Sequence, residues 1–182
     1  MSRHFNNVME IYIIEKYKDR YPQMKGSELT DALIKDCLEE YGVEDFHVLR
    51  TPKGKPYVEL YRGSEAEFSQ SEILHLSVSH SGEYFLCIIA ERPVGIDVQE
   101  RKSSNSEKIA ERYFSEREKS FIRDNGENGF FTVWTRKEAY SKLTGEGIAE
   151  IIRGTEVIDR EDVIFTDFQL EDGVWCSYCI ER

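Results

Sequence analysis

The sequence predicts an α+β fold of two similar halves, each a long helix against a small antiparallel sheet. Three observations predict it. Short β-branched and aromatic runs recur through the chain. Residues 27–42 and 129–144 carry helical apolar spacing. An Asp172-Gly173 pair joins two alternating segments near the end, a strong hairpin signal. In chain order, VMEIYIIE (8–15) reads as a strand. SELTDALIKDCLEEYG (27–42) reads as a helix with Ser27 as its cap, one stripe of Leu29, Leu33, Ile34, Cys37, Leu38 and Tyr41, and Gly42 as its stop. HVLR, a turn at TPKGKP and the strand YVELY follow. LHLSVSHS (74–81) alternates, and YFLCIIAE (84–91) is a continuous apolar run suited to a central strand. Pro93 breaks the chain before the strand VGIDVQ (94–99), which divides it into halves 1–92 and 93–182. The polar stretch 100–106 connects to helical patterns at 106–112, 115–124 and 129–144, and VIFTDFQLE and VWCSYCIE close the chain as strands.

Composition limits the function classes. The 182 residues have a hydrophobic fraction of 40%, that of a folded chain. The formal net charge is −11, and residues 1–62 are near balance with 10 Lys and Arg against 11 Asp and Glu, so the acidity lies in the remainder. A non-specific nucleic-acid binder needs a basic face, which this balance does not supply. Cys176 and Cys179 form a CxxC, but on a strand they point to opposite sides, and no second pair completes a zinc site. With Cys37 and Cys87 they read as buried small hydrophobes suited to a reducing compartment. MSRHFNNVMEIYIIEKYK holds no apolar run long enough for a signal peptide or a membrane span, so the expected location is the cytoplasm.

Three segments carry candidate chemistry. In VWTRKEAYSKLTGEG (133–147) helical spacing puts Trp134, Glu138 and Lys142 on one stripe, flanked by Lys137 and Ser141. On spacing alone Glu138 and Lys142 make a surface ion pair contributing roughly 0.3–0.5 kcal/mol. In VGIDVQE, Asp97 faces the side of Gly95 and Gln99. A carboxylate in an apolar strand needs a cation or donors if buried, and Gly95 allows close approach of a ligand or another backbone. SVSHSG sets Ser79, His80 and Ser81 at a strand end, where hydroxyls, an imidazole and amides could hold a phosphate or simply form a turn. No G-x-S-x-G elbow surrounds either serine, which speaks against a hydrolase nucleophile. TPKGKP brings Lys53, Gly54 and Lys55 into a turn too short for a Walker loop.

Taken in order, Gly54-Lys55-Pro56, Ser79-His80, Gly95-Ile96-Asp97 and the W-x-x-K-E-A-x-x-K run from Trp134 to Lys142 resemble the 4′-phosphopantetheinyl transferases of the monomeric, surfactin-synthetase-activating type. The resemblance covers about residues 50–147. It implies a pseudo-twofold fold with coenzyme A between the halves, the N-terminal half contacting the cofactor and the C-terminal half carrying the metal and catalytic residues. It implies a holo-[acyl-carrier-protein] synthase type of reaction, transfer of phosphopantetheine from coenzyme A to a serine of an acyl or peptidyl carrier protein with release of 3′,5′-ADP. Mg²⁺ is the implied cofactor, held by Asp97 and Glu138, with Gln99 where many relatives have a third acid. Glu138 is also the candidate base, and Lys142 would neutralise phosphate charge. Ser79 and His80 resemble the residues that hold the 3′-phosphate. Lys53, Gly54 and Lys55 resemble the adenine-pocket segment, and Lys137 joins the substrate-binding set without a specific role.

Two departures stand out. The acid near Gln99 is displaced to Glu100, on the opposite face of the strand. The D-x-x-R arginine that contacts coenzyme A in relatives is absent, because Asp31 is followed by Lys35, leaving Lys16, Lys18, Arg20 and Lys25 as candidates in its place. Two other classes compete with the transferase: a non-catalytic binder of coenzyme A or carrier protein, and a Mg²⁺-dependent phosphate-ester hydrolase.

Overall fold

The computed structural model describes residues 9–60, 73–101 and 106–182. Val8 of the first expected strand and part of the 100–106 connection lie outside the described residues. The elements run β1 (Glu10–Glu15), a 3₁₀ turn (Tyr17–Asp19), α1 (Gly26–Tyr41), β2 (Phe46–Arg50), β3 (Pro56–Leu60), β4 (Ile73–Ser81), β5 (Tyr84–Ala90), β6 (Val94–Glu100), α2 (Ser106–Tyr113), α3 (Glu116–Thr144), α4 (Ile148–Gly154), β7 (Val163–Glu171) and β8 (Val174–Glu181). The strands form two antiparallel sheets, β1-β5-β4-β3-β2 and β6-β8-β7, and the change of sheet falls between Ala90 and Val94. None of the described helices is long and apolar enough to cross a membrane.

Alternation along the strands sorts the core into layers. One face of the larger sheet, with Leu74, Leu76, Phe85, Cys87 and Ile89, packs on the α1 stripe of Leu29, Leu33, Ile34, Cys37 and Leu38. Its other face, with Leu86, Ile88 and Ala90, packs on Val94, Ile96, Val98, Val174 and Cys176 of the smaller sheet. The far side of the smaller sheet lies against α3, where Phe131 stacks on Trp175 at 4.0 Å. The order is therefore helix, sheet, sheet, helix, with one apolar layer common to both halves. Cys176 falls in the layer between the sheets and Cys179 on the α3 side, and all four cysteines are buried and free.

Three local features differ from the expectation. The first helix starts at Gly26, so Ser27 lies inside the first turn and Lys25 occupies the cap position without a side-chain bond. The buried Leu29 and Leu33, rather than a cap, set where this helix begins. The patterns at 115–124 and 129–144 belong to one element, α3, with a non-helical residue at Gly126 (φ 59°, ψ −136°). Glycine alone adopts that conformation cheaply, so the chain kinks there without ending the helix. A short helix, α4, occupies a stretch with no strong periodic signal. A capping box opens α3, where Ser115 accepts from the Glu118 amide and Glu118 accepts from the Ser115 amide.

Glu118 has a second task. It is fully buried and accepts from the Lys137 ammonium at 2.8 Å and from the Val157 amide at 3.1 Å. Lys137, also buried, donates to the Thr155 carbonyl at 2.5 Å and lies over the Phe114 ring. Removing one partner of such a pair strands a charge in the core. Glu118→Ala is expected to cost about 3–5 kcal/mol, read by urea unfolding, with partial recovery on adding Lys137→Met.

Candidate functional site

The chemistry gathers where β6, β4 and the C-terminal half of α3 meet. β6 is the edge of its sheet, bonded to β8 on one side only. Its Gly95 faces α3 so closely that a Cβ there would stand 1.9 Å from the Ala139 carbonyl oxygen. The close approach expected of Gly95 is thus to helix backbone. Because Ala139 touches the strand, the neighbouring Glu138 and the next-turn Lys142 are carried to the level of Asp97.

Asp97 is 5% exposed. Its Oδ1 accepts from Lys142 Nζ at 2.7 Å and from Ser79 Oγ at 2.7 Å. Lys142 also donates to the Ile96 carbonyl at 3.0 Å, so the helix cation is pinned to strand and carboxylate together. The ion pair is therefore Lys142 with Asp97, and Lys142 is not committed to Glu138 as helical spacing alone suggests. Glu138 makes no hydrogen bond or ion pair with a described residue and is only partly exposed. Burial, and then the nearby Asp97 charge, push its carboxyl up to about 7, against the pull of Lys142. A half-buried carboxyl near neutrality, with no hydrogen bond among the described residues, is suited to holding a cation or taking a proton.

A cleft of about 250 Å³ opens beside this group, lined by Lys53, Gly54, Lys55, Pro56, Ser141 and Lys142 among others. Lys55 crosses it and donates to the Leu143 carbonyl at 2.7 Å, which ties the β2–β3 turn to the end of α3. Burial lowers the pKa of its ammonium. A larger cavity of about 590 Å³ lies between α2 and α3 and contains none of the motif residues.

The remaining expected residues separate. His80 points to the other face of β4 from Ser79, as strand alternation requires, and its ring lies 5.7 Å from Tyr17. Burial, then Lys142 and Lys18, lower its pKa, which places Lys18 in its electrostatic neighbourhood. Lys18, one of the four N-terminal cations, thus lies near the motif. Arg20 is engaged with Asp36. Asp31, which lacks its expected helix arginine, is paired with Arg50 of β2, and Arg50 also donates to the Gly54 carbonyl at 3.2 Å. Lys137 lies away from the cleft, its ammonium enclosed with Glu118. That position differs from the substrate-binding role expected for it, because α3 is covered on more than one side and the Lys137 face turns inward. Gln99 donates to the Glu100 carbonyl at 2.8 Å and toward Ser81 Oγ at 3.5 Å. The Glu100 carboxylate lies over Gly82 in the β4–β5 turn, on the other side of the strand from Asp97. Ser77 and Ser81 accept from the Ile96 and Glu100 amides of β6, contacts not foreseen from the sequence. Their alternation with Val78 and His80 was the available signal.

Residues 93–179 match the family described as the 4′-phosphopantetheinyl transferase superfamily. The chain is 33% identical to the 4′-phosphopantetheinyl transferase ffp of Bacillus subtilis, over 85% of this chain and 78% of that protein. It is 29% identical to the 4′-phosphopantetheinyl transferase gsp of Aneurinibacillus migulanus, over 89% of this chain and 69% of the relative. It is 28% identical to the 4′-phosphopantetheinyl transferase Sfp of Bacillus subtilis strain 168, over 78% and 72%. The chain belongs to the 4′-phosphopantetheinyl transferase family, and the mixed α+β architecture agrees with that membership.

Proposed function

We propose that this chain transfers 4′-phosphopantetheine from coenzyme A to a serine hydroxyl of an acyl or peptidyl carrier protein, with Mg²⁺ bound at Asp97 and Glu138. The observation that carries the reading is the Glu138 carboxyl, raised to about 7 and free of hydrogen bonds among the described residues, beside an Asp97 whose Oδ1 accepts from Ser79 and Lys142. Among the described residues no group of three or more His, Cys, Asp or Glu side chains forms a metal cage. Mg²⁺ usually takes one or two carboxylates, substrate phosphates and water, so two carboxylates fit it. The Gln99 oxygen or a water would complete the shell. Bound Mg²⁺ supplies charge neutralisation at the diphosphate oxygens.

The chain's own groups account for the rest. Lys142 spends two of its three N–H donors on Ile96 and Asp97, which leaves one for a phosphate oxygen. Glu138, directly or through water, takes the serine proton as the serine oxygen bonds to the phosphopantetheine phosphorus. The bond from that phosphorus to the bridging oxygen breaks, and 3′,5′-ADP leaves. Positioning and electrostatics carry most of the acceleration in such transfers. His80 and Lys18 form the candidate 3′-phosphate pair, and the Lys53–Lys55 turn the wall nearest the adenine.

The test is mass spectrometry of an apo carrier protein incubated with enzyme, coenzyme A and Mg²⁺. A gain of one phosphopantetheine is expected, abolished by a chelator. Coenzyme A binding without that gain supports a non-catalytic binder, and phosphopantetheine released with no carrier present supports a hydrolase. A panel of carriers from fatty-acid, polyketide and nonribosomal peptide synthesis reads the partner class.

A further inference from the structure

We infer that Ser79 is a positioning residue for the Asp97 carboxylate rather than a ligand of a cofactor phosphate. The inference rests on the proposed metal role of Asp97.

Three serines on one face of β4 reach the free edge of β6. Ser77 Oγ accepts from the Ile96 amide at 3.1 Å, Ser79 Oγ donates to Asp97 Oδ1 at 2.7 Å, and Ser81 Oγ accepts from the Glu100 amide at 3.0 Å. All three are at least 93% buried, with exposures of 2%, 7% and 6%. Together they stand where a neighbouring strand would, and they hold residues 96–100 at three points. Ser81 also meets the Gln99 amide at 3.5 Å, and the middle serine is the one that bonds the carboxylate.

A serine hydroxyl has one proton. Ser79 has given it to Asp97, while a phosphate offers only acceptors to a hydroxyl. Donation to a 3′-phosphate would release Asp97. Strand alternation also turns Ser79 and His80 to opposite faces, so their side chains do not converge on one anion. Ser79 and Lys142 both occupy Oδ1, and this fixes the carboxylate plane with Oδ2 left over as the oxygen for a cation. Groups that orient a ligating carboxylate in this way are worth about 10–100-fold in metal affinity.

The experiment compares the parent chain with Ser79→Ala and Ser79→Thr, each checked for folding by its melting curve. Mn²⁺ affinity is read by electron paramagnetic resonance with coenzyme A present. Carrier loading is then measured against Mg²⁺ concentration, with coenzyme A and with 3′-dephospho-coenzyme A. Ser79→Ala is expected to weaken Mn²⁺ binding about 10–100-fold and to raise the Mg²⁺ needed for half-maximal rate in parallel. The kcat/KM ratio between the two cofactors should stay at the parent value, and Ser79→Thr, which keeps the hydroxyl, should restore the metal affinity. Unchanged Mn²⁺ binding in Ser79→Ala, with or without a collapse of the cofactor ratio, overturns this inference and leaves the metal reading standing. A parent chain that binds no Mn²⁺ and loads carrier without a divalent ion overturns the metal reading, and this inference with it. Should Ser79→Ala not fold, Ser79→Cys keeps the volume and weakens the donor, and the same outcomes apply to it.

Discussion

Glu138→Gln is expected to remove carrier loading, by about 10²–10⁴-fold or more, while raising the melting temperature at pH 8. The loss follows from taking away a metal carboxylate and a proton acceptor in one substitution. The gain follows from linkage. The folded value of the Glu138 carboxyl is about 7, against 4.5 ordinarily, because burial and Asp97 oppose its charge. An acid raised in the folded state binds its proton more tightly folded than unfolded. Its effect is nil below about 4.5, turns against folding as pH climbs to about 7, and is complete above that. The neutral glutamine escapes it, so the stability difference should appear at pH 8 and vanish near pH 4. Paired thermal scans at the two values, with loading assays, check both halves. A folded Glu138→Gln enzyme that loads carrier at the parent rate would remove Glu138 from the chemistry.

Gly95→Ala is expected to cost at least about 3 kcal/mol and to depress loading sharply in whatever protein still folds. The added methyl would sit 1.9 Å from the Ala139 carbonyl oxygen and 2.7 Å from the Leu143 amide nitrogen, both backbone atoms of α3. Neither can turn aside as a side chain does, so strand and helix must part. Glu138 and Lys142 are the immediate predecessors of those contacts, and a displacement near 1 Å in a positioned group costs about 10²-fold in rate. Chemical denaturation and a Mg²⁺-saturated loading assay read the two effects separately.

Much of this arrangement was legible in the residues. Alternation gave β4 and β6 within a residue, Gly42 stopped α1, and Asp172-Gly173 closed the last hairpin. Helical spacing put Glu138 and Lys142 on one face, and family order linked that face to Asp97. What the pattern could not give was anything set by packing between distant segments. Lys137 looks as solvated as Arg136 in the string, yet Glu118, on the same helix beyond the Gly126 kink, encloses it. Lys142 has an acid one turn back and takes its partner 45 residues away. The serines of β4 look like turn chemistry until β6 is seen to lack a strand on that side.

The tie from Lys55 to Leu143 bears on how a bulky cofactor gets in and out. It braces one wall of the cleft against the other, and the two sheets share a buried apolar layer of their own. Such a molecule cannot swing open like a jaw without exposing its own middle. Spreading the cleft therefore has to break the Lys55 bond and strip cover from Leu86 and Ile88 at once.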